Sequence, residues 1–178
     1  MQFDDLILDI HQTNHFFNQQ VVKQVNTMLT LRNWLIGFHL AEYEQLGADR
    51  AIYGAKLLQR IAQKLKERKI KGLSLTHLKL FRQFYDTYPQ IGQTLSDQLT
   101  LPLSIEQKIQ TLPVVAGVSS LSPDIQLLLN QLSFSHFIEF LKCDTPLQRA
   151  FYETYALKNQ WTVRNNFLSP NTSYNCPM

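Results

Sequence analysis

The stretch LLQRIAQKLKERKIKGLSLTHLKLFRQFYDTY, residues 57–88, decides how this chain reads. Leu57, Leu58, Ile61, Ala62 and Leu65 recur at the three-and-four spacing of a helix, with Arg60, Lys64, Glu67 and Arg68 largely on the other side. Ile70-Lys71-Gly72-Leu73-Ser74 interrupts the pattern; Gly72 can take a positive φ and Ser74 can cap a second helix. The pattern resumes over Leu75–Tyr88, with Leu78, Phe81, Tyr85 and Tyr88 expected inside, Leu75 and Phe84 at the margins, and Pro89 as the stop. Helix, glycine-containing turn, helix is the spacing of a helix-turn-helix, whose second helix offers a polar face to a DNA groove. An ordinary antiparallel helix pair is served equally well by such a turn.

That inward set fixes the outward one. Thr76, Lys79, Gln83 and Thr87 are expected to point away from the core, with His77 and Arg82 at its edges. Glutamine can bond adenine with two hydrogen bonds, lysine can reach guanine or phosphate, and threonine can touch a thymine methyl. Ser74, Thr76, His77, Lys79 and Gln83 are therefore candidate groove contacts. Arg60, Lys64, Arg68, Lys69 and Lys71 are candidate phosphate contacts, which position a protein without reading sequence.

Charge concentrates in the same region. Arg50 to Arg82 holds ten bases against Glu67 alone, a balance of +9, while the remainder holds seven bases and thirteen acids, a balance of −6. Such asymmetry favours a polyanion at one face through counterion release. The alternative is a solvated face whose Lys and Arg stems lie over apolar surface.

Outward from this stretch the chain reads as all-α. Helices are expected around residues 15–29, around Leu31–Leu46 with Gly47 as the stop, and from an Asp49 cap to about Arg68, with Gly54 a point of bending. Residues 89–122, rich in Gln, Ser, Thr, Leu and Pro, read as a long irregular connection with a short helix near Ile105–Thr111, and Leu112–Val118 could form a short strand. Ser122-Pro123-Asp124 and Asp144-Thr145-Pro146 repeat a cap-then-proline signal. Between and after them, helices are expected to bury Leu128, Leu129 and Leu132, then Phe137, Phe140 and Leu141, then Phe151, Tyr155 and Leu157. A last short helix is expected from Trp161. The resulting organisation is a helical part over 1–88 containing the helix-turn-helix-like pair, a connection over 89–122, a second small helical part over 123–168 packed on the first, and a loose tail over 169–178.

At 178 residues with 44% apolar and 17% charged, the chain can bury a core. The acidic start Met1-Gln2-Phe3-Asp4-Asp5 is unlike a secretory signal, and no apolar run approaches the roughly 20 residues of a membrane span. Cys143 and Cys176 lack metal-ligand spacing. A cytoplasmic chain without a membrane partner is the expectation.

Catalytic and metal-ligand patterns are missing from the sequence. His11 and His15 stand four apart without the glutamate of a zinc-protease motif, and no Gly-rich phosphate loop or nucleophile elbow is present. Pro123-Asp124 lacks the downstream acid-x-Lys of a PD-(D/E)XK nuclease: Glu139 precedes Lys142 at the wrong spacing, and Glu67-Arg68-Lys69 lies upstream. No catalytic residue, metal ligand or cofactor is assigned. Leu73-Ser74-Leu75-Thr76-His77 is echoed by Leu132-Ser133-Phe134-Ser135-His136, where both histidines are expected to be cap-region partners rather than ligands.

Several ordered motifs carry a family resemblance. They are Arg32-Asn33-Trp34-Leu35-Ile36-Gly37, Glu42-Tyr43-Glu44-Gln45, Arg50-Ala51-Ile52-Tyr53-Gly54, Leu73-Ser74 with Phe81-Arg82-Gln83-Phe84-Tyr85, Leu132-Ser133-Phe134-Ser135-His136, Arg149-Ala150-Phe151-Tyr152-Glu153 and Trp161-Thr162-Val163-Arg164. Over roughly residues 15–167 the chain resembles the amino-terminal domain of the YhcG-type nuclease family of the PD-(D/E)XK superfamily. Phe134 stands where that family usually has Trp. The resemblance implies a helical, DNA-binding module without the catalytic nuclease domain, with double-stranded DNA as partner. The alternative is an interaction module that dimerises or docks a nuclease subunit, with Phe134, Phe137, Phe151 and Trp161 as partial surface anchors.

Overall fold

The computed structural model describes residues 3–20, 25–46, 56–92, 95 and 123–159. They form α1 (Phe3–Gln20), α2 (Val25–Leu46), α3 (Leu57–Glu67), α4 (Leu75–Thr87), α5 (Ile125–Gln131), α6 (Phe134–Phe140) and α7 (Pro146–Asn159). The all-α reading holds. Its first boundaries do not: the expected helices at 15–29 and 31–46 are instead α1 and α2. The reason is an apolar stripe that begins earlier, with Leu6, Ile7, Ile10 and Phe17 all buried, behind Asp4 and Asp5 in the first turn. Nothing at Thr30-Leu31 interrupts α2.

The central element is α2. Leu31 and every residue from Asn33 to Ala41 are buried, so it is covered on all sides. Gly37 sets how close α4 comes: a Cβ there would stand 2.7 Å from the Phe81 carbonyl carbon and 3.0 Å from the Tyr85 Cβ. Only a residue without a side chain allows this approach of two backbones. Trp34 Nε1 donates to the Tyr88 carbonyl at 2.8 Å, satisfying an acceptor at the end of α4.

Two apolar clusters flank α2. One, with Leu6, Ile10, Ile36, Leu40, Ile61, Leu65 and Leu78, joins α1 to α4. The other, with Trp34, Phe84, Leu128, Phe137, Phe140 and Ala156, joins α2 and α4 to α5, α6 and α7. Phe134 links them, meeting Phe81 and Phe84 edge-on at 5.4 and 5.3 Å. Ile91 and Leu95, expected to open the irregular connection, are fully buried in the second cluster. Polar ties reinforce it: Thr27 Oγ1 donates to the Leu129 carbonyl at 2.9 Å, and the Tyr88 hydroxyl donates to the buried Glu153 carboxylate at 2.6 Å.

Helix starts follow the cap chemistry with one shift. Asp124, not Ser122, caps α5, accepting from the Gln126 N–H at 3.0 Å. Thr145 Oγ1 accepts from the Gln148 N–H at 3.1 Å, with Pro146 opening α7 as the cap-then-proline signal implies. Phe84 corrects the sequence reading of α4: it is fully buried, while Tyr85 is only half-buried. On α7 the correction is larger. Ala150, Glu153 and Ala156 face inward, whereas Phe151 and Tyr155 are 62% and 41% exposed. The expected Asp49 cap, the Gly54 bend, the features at 105–118, the Trp161 helix and the tail lie outside the described residues. Among the described residues no helix is long and apolar enough to cross a membrane.

Candidate nucleic-acid interface

The α3–α4 turn is built by a specific cap. The Ile70 N–H reaches the Leu65 carbonyl at 3.1 Å and the Lys69 N–H reaches that of Lys66 at 2.9 Å, the paired bonds of a Schellman motif. The position after the cap, usually glycine, is Lys69, at φ +59°. Ile70 packs with Leu65 in the first cluster, Gly72 takes φ +81°, and buried Leu73 returns the chain to the core. Lys69 and Lys71 stand exposed on this turn, which is anchored on both sides by apolar residues.

Ser74 then caps α4, its Oγ accepting from the His77 N–H at 3.4 Å and lying 2.9 Å from His77 Nδ1. The His77 ring stacks on Phe81 with centroids 6.0 Å apart. Its orientation is therefore set from two sides while the residue stays exposed. The echo at α6 goes one bond further: the Ser133 N–H donates to His136 Nδ1 at 3.1 Å, and Ser133 Oγ lies 2.9 Å from it. Leu73 and Leu132 precede the two caps, and Leu78 and Phe137 sit at the fourth helical positions, all four buried. Thus α6 carries a full capping box and α4 the serine cap alone, both with apolar residues at the two positions of a hydrophobic staple, and helix initiation explains the repeated Leu-Ser-x-x-His pattern.

The structure divides the residues expected at the interface into two groups. Arg68, Lys69, Lys71, Thr76, His77 and Lys79 are exposed around the turn and the first turn of α4. No carboxylate among the described residues pairs with Arg68, Lys69, Lys71, Lys79 or the neighbouring Lys66. Lys66, absent from the residues expected at the interface, is exposed as well, as the helical period of α3 requires. The others are engaged. Lys64 pairs with Glu67 at 3.1 Å, and the Arg60 guanidinium lies over the Phe3 ring at 4.9 Å. The Ser74 hydroxyl serves the cap. Gln83 Nε2 donates to the Leu141 carbonyl at 3.2 Å, tying α4 to the end of α6. Arg82 bonds Glu44 at 2.8 Å and also pairs with Asp86; these carboxylates hold its guanidinium pKa up against partial burial. Of the bases in the +9 stretch, five thus stand without a carboxylate partner at the α3–α4 turn or early in α4, Lys56 stands exposed at the other end of α3, and Arg50 lies outside the described residues.

No group of three or more His, Cys, Asp or Glu among the described residues is arranged to hold a metal ion. Cys143 is half-buried, and burial pushes its thiol pKa up, away from reactive thiolate character.

Comparison with known proteins agrees with the motif pattern. The chain is 33% identical over 151 residues to an Escherichia coli (strain K12) protein named "Putative nuclease YhcG", in an alignment covering 82% of this chain and 38% of that protein. It therefore spans well under half the length of that relative. No solved structure matches it. A family model described as DUF1016 N-terminal domain matches residues 9–115, more than half of the chain. The chain belongs to the DUF1016 N-terminal domain family.

Proposed function

We propose that this chain is a cytoplasmic DNA-binding module of a nuclease-associated protein, and that it meets duplex DNA through the α3–α4 turn and the start of α4. The observation carrying this reading is the cluster of exposed cations without carboxylate partners, Lys66, Arg68, Lys69, Lys71 and Lys79, beside exposed Thr76 and the oriented ring of His77. Lys66, Arg68, Lys69 and Lys71 neutralise backbone phosphates and release counterions, which gives affinity and register. Thr76, His77 and Lys79 enter the groove in the manner of a helix-turn-helix recognition helix, where Lys donates to guanine and the Thr methyl meets thymine. No residue is given a bond-breaking role; the module binds and does not cut. Fluorescence anisotropy with duplex over a salt series tests this. Replacing Lys66, Lys69 and Lys71 by Gln should reduce the magnitude of the log–log salt slope by about 2.7. Unchanged affinity and slope would refute the proposal, and cleavage of duplex with Mg²⁺ would refute the non-catalytic part.

A specific observation favours a second reading, a module that docks a protein or dimerises. Leu147, Phe151 and Tyr155 succeed one another at four-residue steps along α7 and are 65%, 62% and 41% exposed. Phe151 and Tyr155 stack with centroids 6.1 Å apart, a ready aromatic anchor. Of the other expected anchors, Phe137 is core, Phe134 half-buried, and Trp161 outside the described residues. Light scattering with and without duplex separates the readings: docking predicts self-association or capture of protein with no response to DNA.

A further inference from the structure

The Arg32-Asn33-Trp34-Leu35-Ile36-Gly37 motif is explained by packing from Trp34 onward, but Arg32 is not. Its guanidinium is partly buried between α1 and α2, with Nε and Nη2 donating to Asn33 Oδ1 at 3.1 and 2.9 Å and Nη1 facing Asn14 Oδ1 at 3.5 Å. All three contacts are to neutral carboxamide oxygen. Among the described residues no carboxylate pairs with Arg32, in contrast to the less buried Arg82, which two acids compensate. A partly desolvated guanidinium without a counter-charge is costly unless an anion completes it. Asn33 locks the plane of the fork; with Nη1 turned to Asn14, two of the five N–H donors are left for a ligand.

We propose that Arg32 and Asn14 form a phosphate-binding notch between α1 and α2, separate from the α3–α4 turn. The Asn14 carboxamide, rotated to present Nδ2, gives up its contact with Nη1, freeing a third guanidinium N–H, and adds a further donor from the opposite helix. Donors converging from two helices suit the tetrahedral oxygens of a phosphate better than the two coplanar oxygens of a carboxylate. Partial burial also pulls the Arg32 pKa down, as expected for a charge lacking its counter-ion. The phosphate comes either from a small phosphate ester or from a nucleic-acid backbone; the notch chemistry is the same.

The test tracks the Arg32 Nε–H resonance by NMR in the full chain, titrating inorganic phosphate against chloride at equal ionic strength. A saturable shift specific to phosphate is expected, and Arg32→Lys should abolish phosphate binding. Asn14→Asp supplies a carboxylate to the guanidinium from within, so it should raise the thermal midpoint and weaken phosphate binding by at least about tenfold. That variant keeps the test decisive if Arg32→Lys does not fold. Displacement of phosphate by duplex assigns the site to nucleic-acid backbone; retention of phosphate beside duplex assigns it to a small ester. A non-saturable response matching chloride, or undiminished phosphate binding in Asn14→Asp, would overturn the notch, whatever the α3–α4 turn does.

Discussion

Lys69→Gly is the perturbation that most sharply separates stability from binding. Lys69 holds φ +59° at the position after the α3 cap. A side chain in that left-handed conformation costs roughly 1–2 kcal/mol, because its Cβ crowds the adjoining carbonyl. Glycine relieves this but loses roughly 0.5–1 kcal/mol more backbone entropy on folding. The balance is a gain of about 0.5–1 kcal/mol, which for a chain of this size raises the midpoint by about 1–4 °C. Binding moves the other way. With the four cations Lys66, Arg68, Lys69 and Lys71 on phosphate, the salt slope is about −3.6, so affinity falls about 150-fold from 50 to 200 mM salt. Removing the Lys69 charge leaves a slope of about −2.7 and a fall of about 40-fold over the same range. Thermal denaturation and duplex anisotropy on the same samples read both quantities. A less stable variant would refute the left-handed cap; a more stable one with an unchanged slope would refute the placement of Lys69 on DNA.

Four other substitutions probe what holds this face in position. Gly37→Ala puts a methyl into the Phe81 carbonyl and should cost about 1–3 kcal/mol in urea denaturation, since a backbone neighbour cannot swing aside. A cost near zero would mean that α2 and α4 separate readily. Phe151→Asp should change stability by less than about 0.5 kcal/mol, whereas Phe137→Ala should lose about 3–5 kcal/mol. Equal losses would place Phe151 in the core. Tyr88→Phe removes the donor to buried Glu153 and should cost about 1–3 kcal/mol at neutral pH. Burial and Glu153 hold the Tyr88 phenol pKa well above its ordinary 10.0, so ionisation favours the unfolded chain once pH passes that value. Stability from Tyr88 is therefore intact below about pH 10 and falls above it. The variant should lose this alkaline component, and pH-dependent denaturation checks it.

The sequence made legible whatever depends on residues close along the chain. Helical periodicity, the Ser74 cap, positive φ at Gly72, the Thr145-Pro146 start of α7 and the concentration of charge near the α3–α4 turn are local consequences of side-chain chemistry. Tertiary structure decided the rest. Period alone could not choose between adjacent Phe84 and Tyr85; Phe84 goes inward because Phe134 and Phe137, some fifty residues away in sequence, provide its partners. Nor could it predict that Ala150, Glu153 and Ala156 would form the inner face of α7, where Glu153 meets Tyr88 and leaves Phe151 outside. The candidate interface divides along the same line. Lys69 and Lys71 are exposed because their turn is short and anchored at both ends, which sequence can show. Arg82 and Gln83 are occupied by Glu44 and the Leu141 carbonyl, partners placed by packing between separate helices, and no spacing along α4 encodes them.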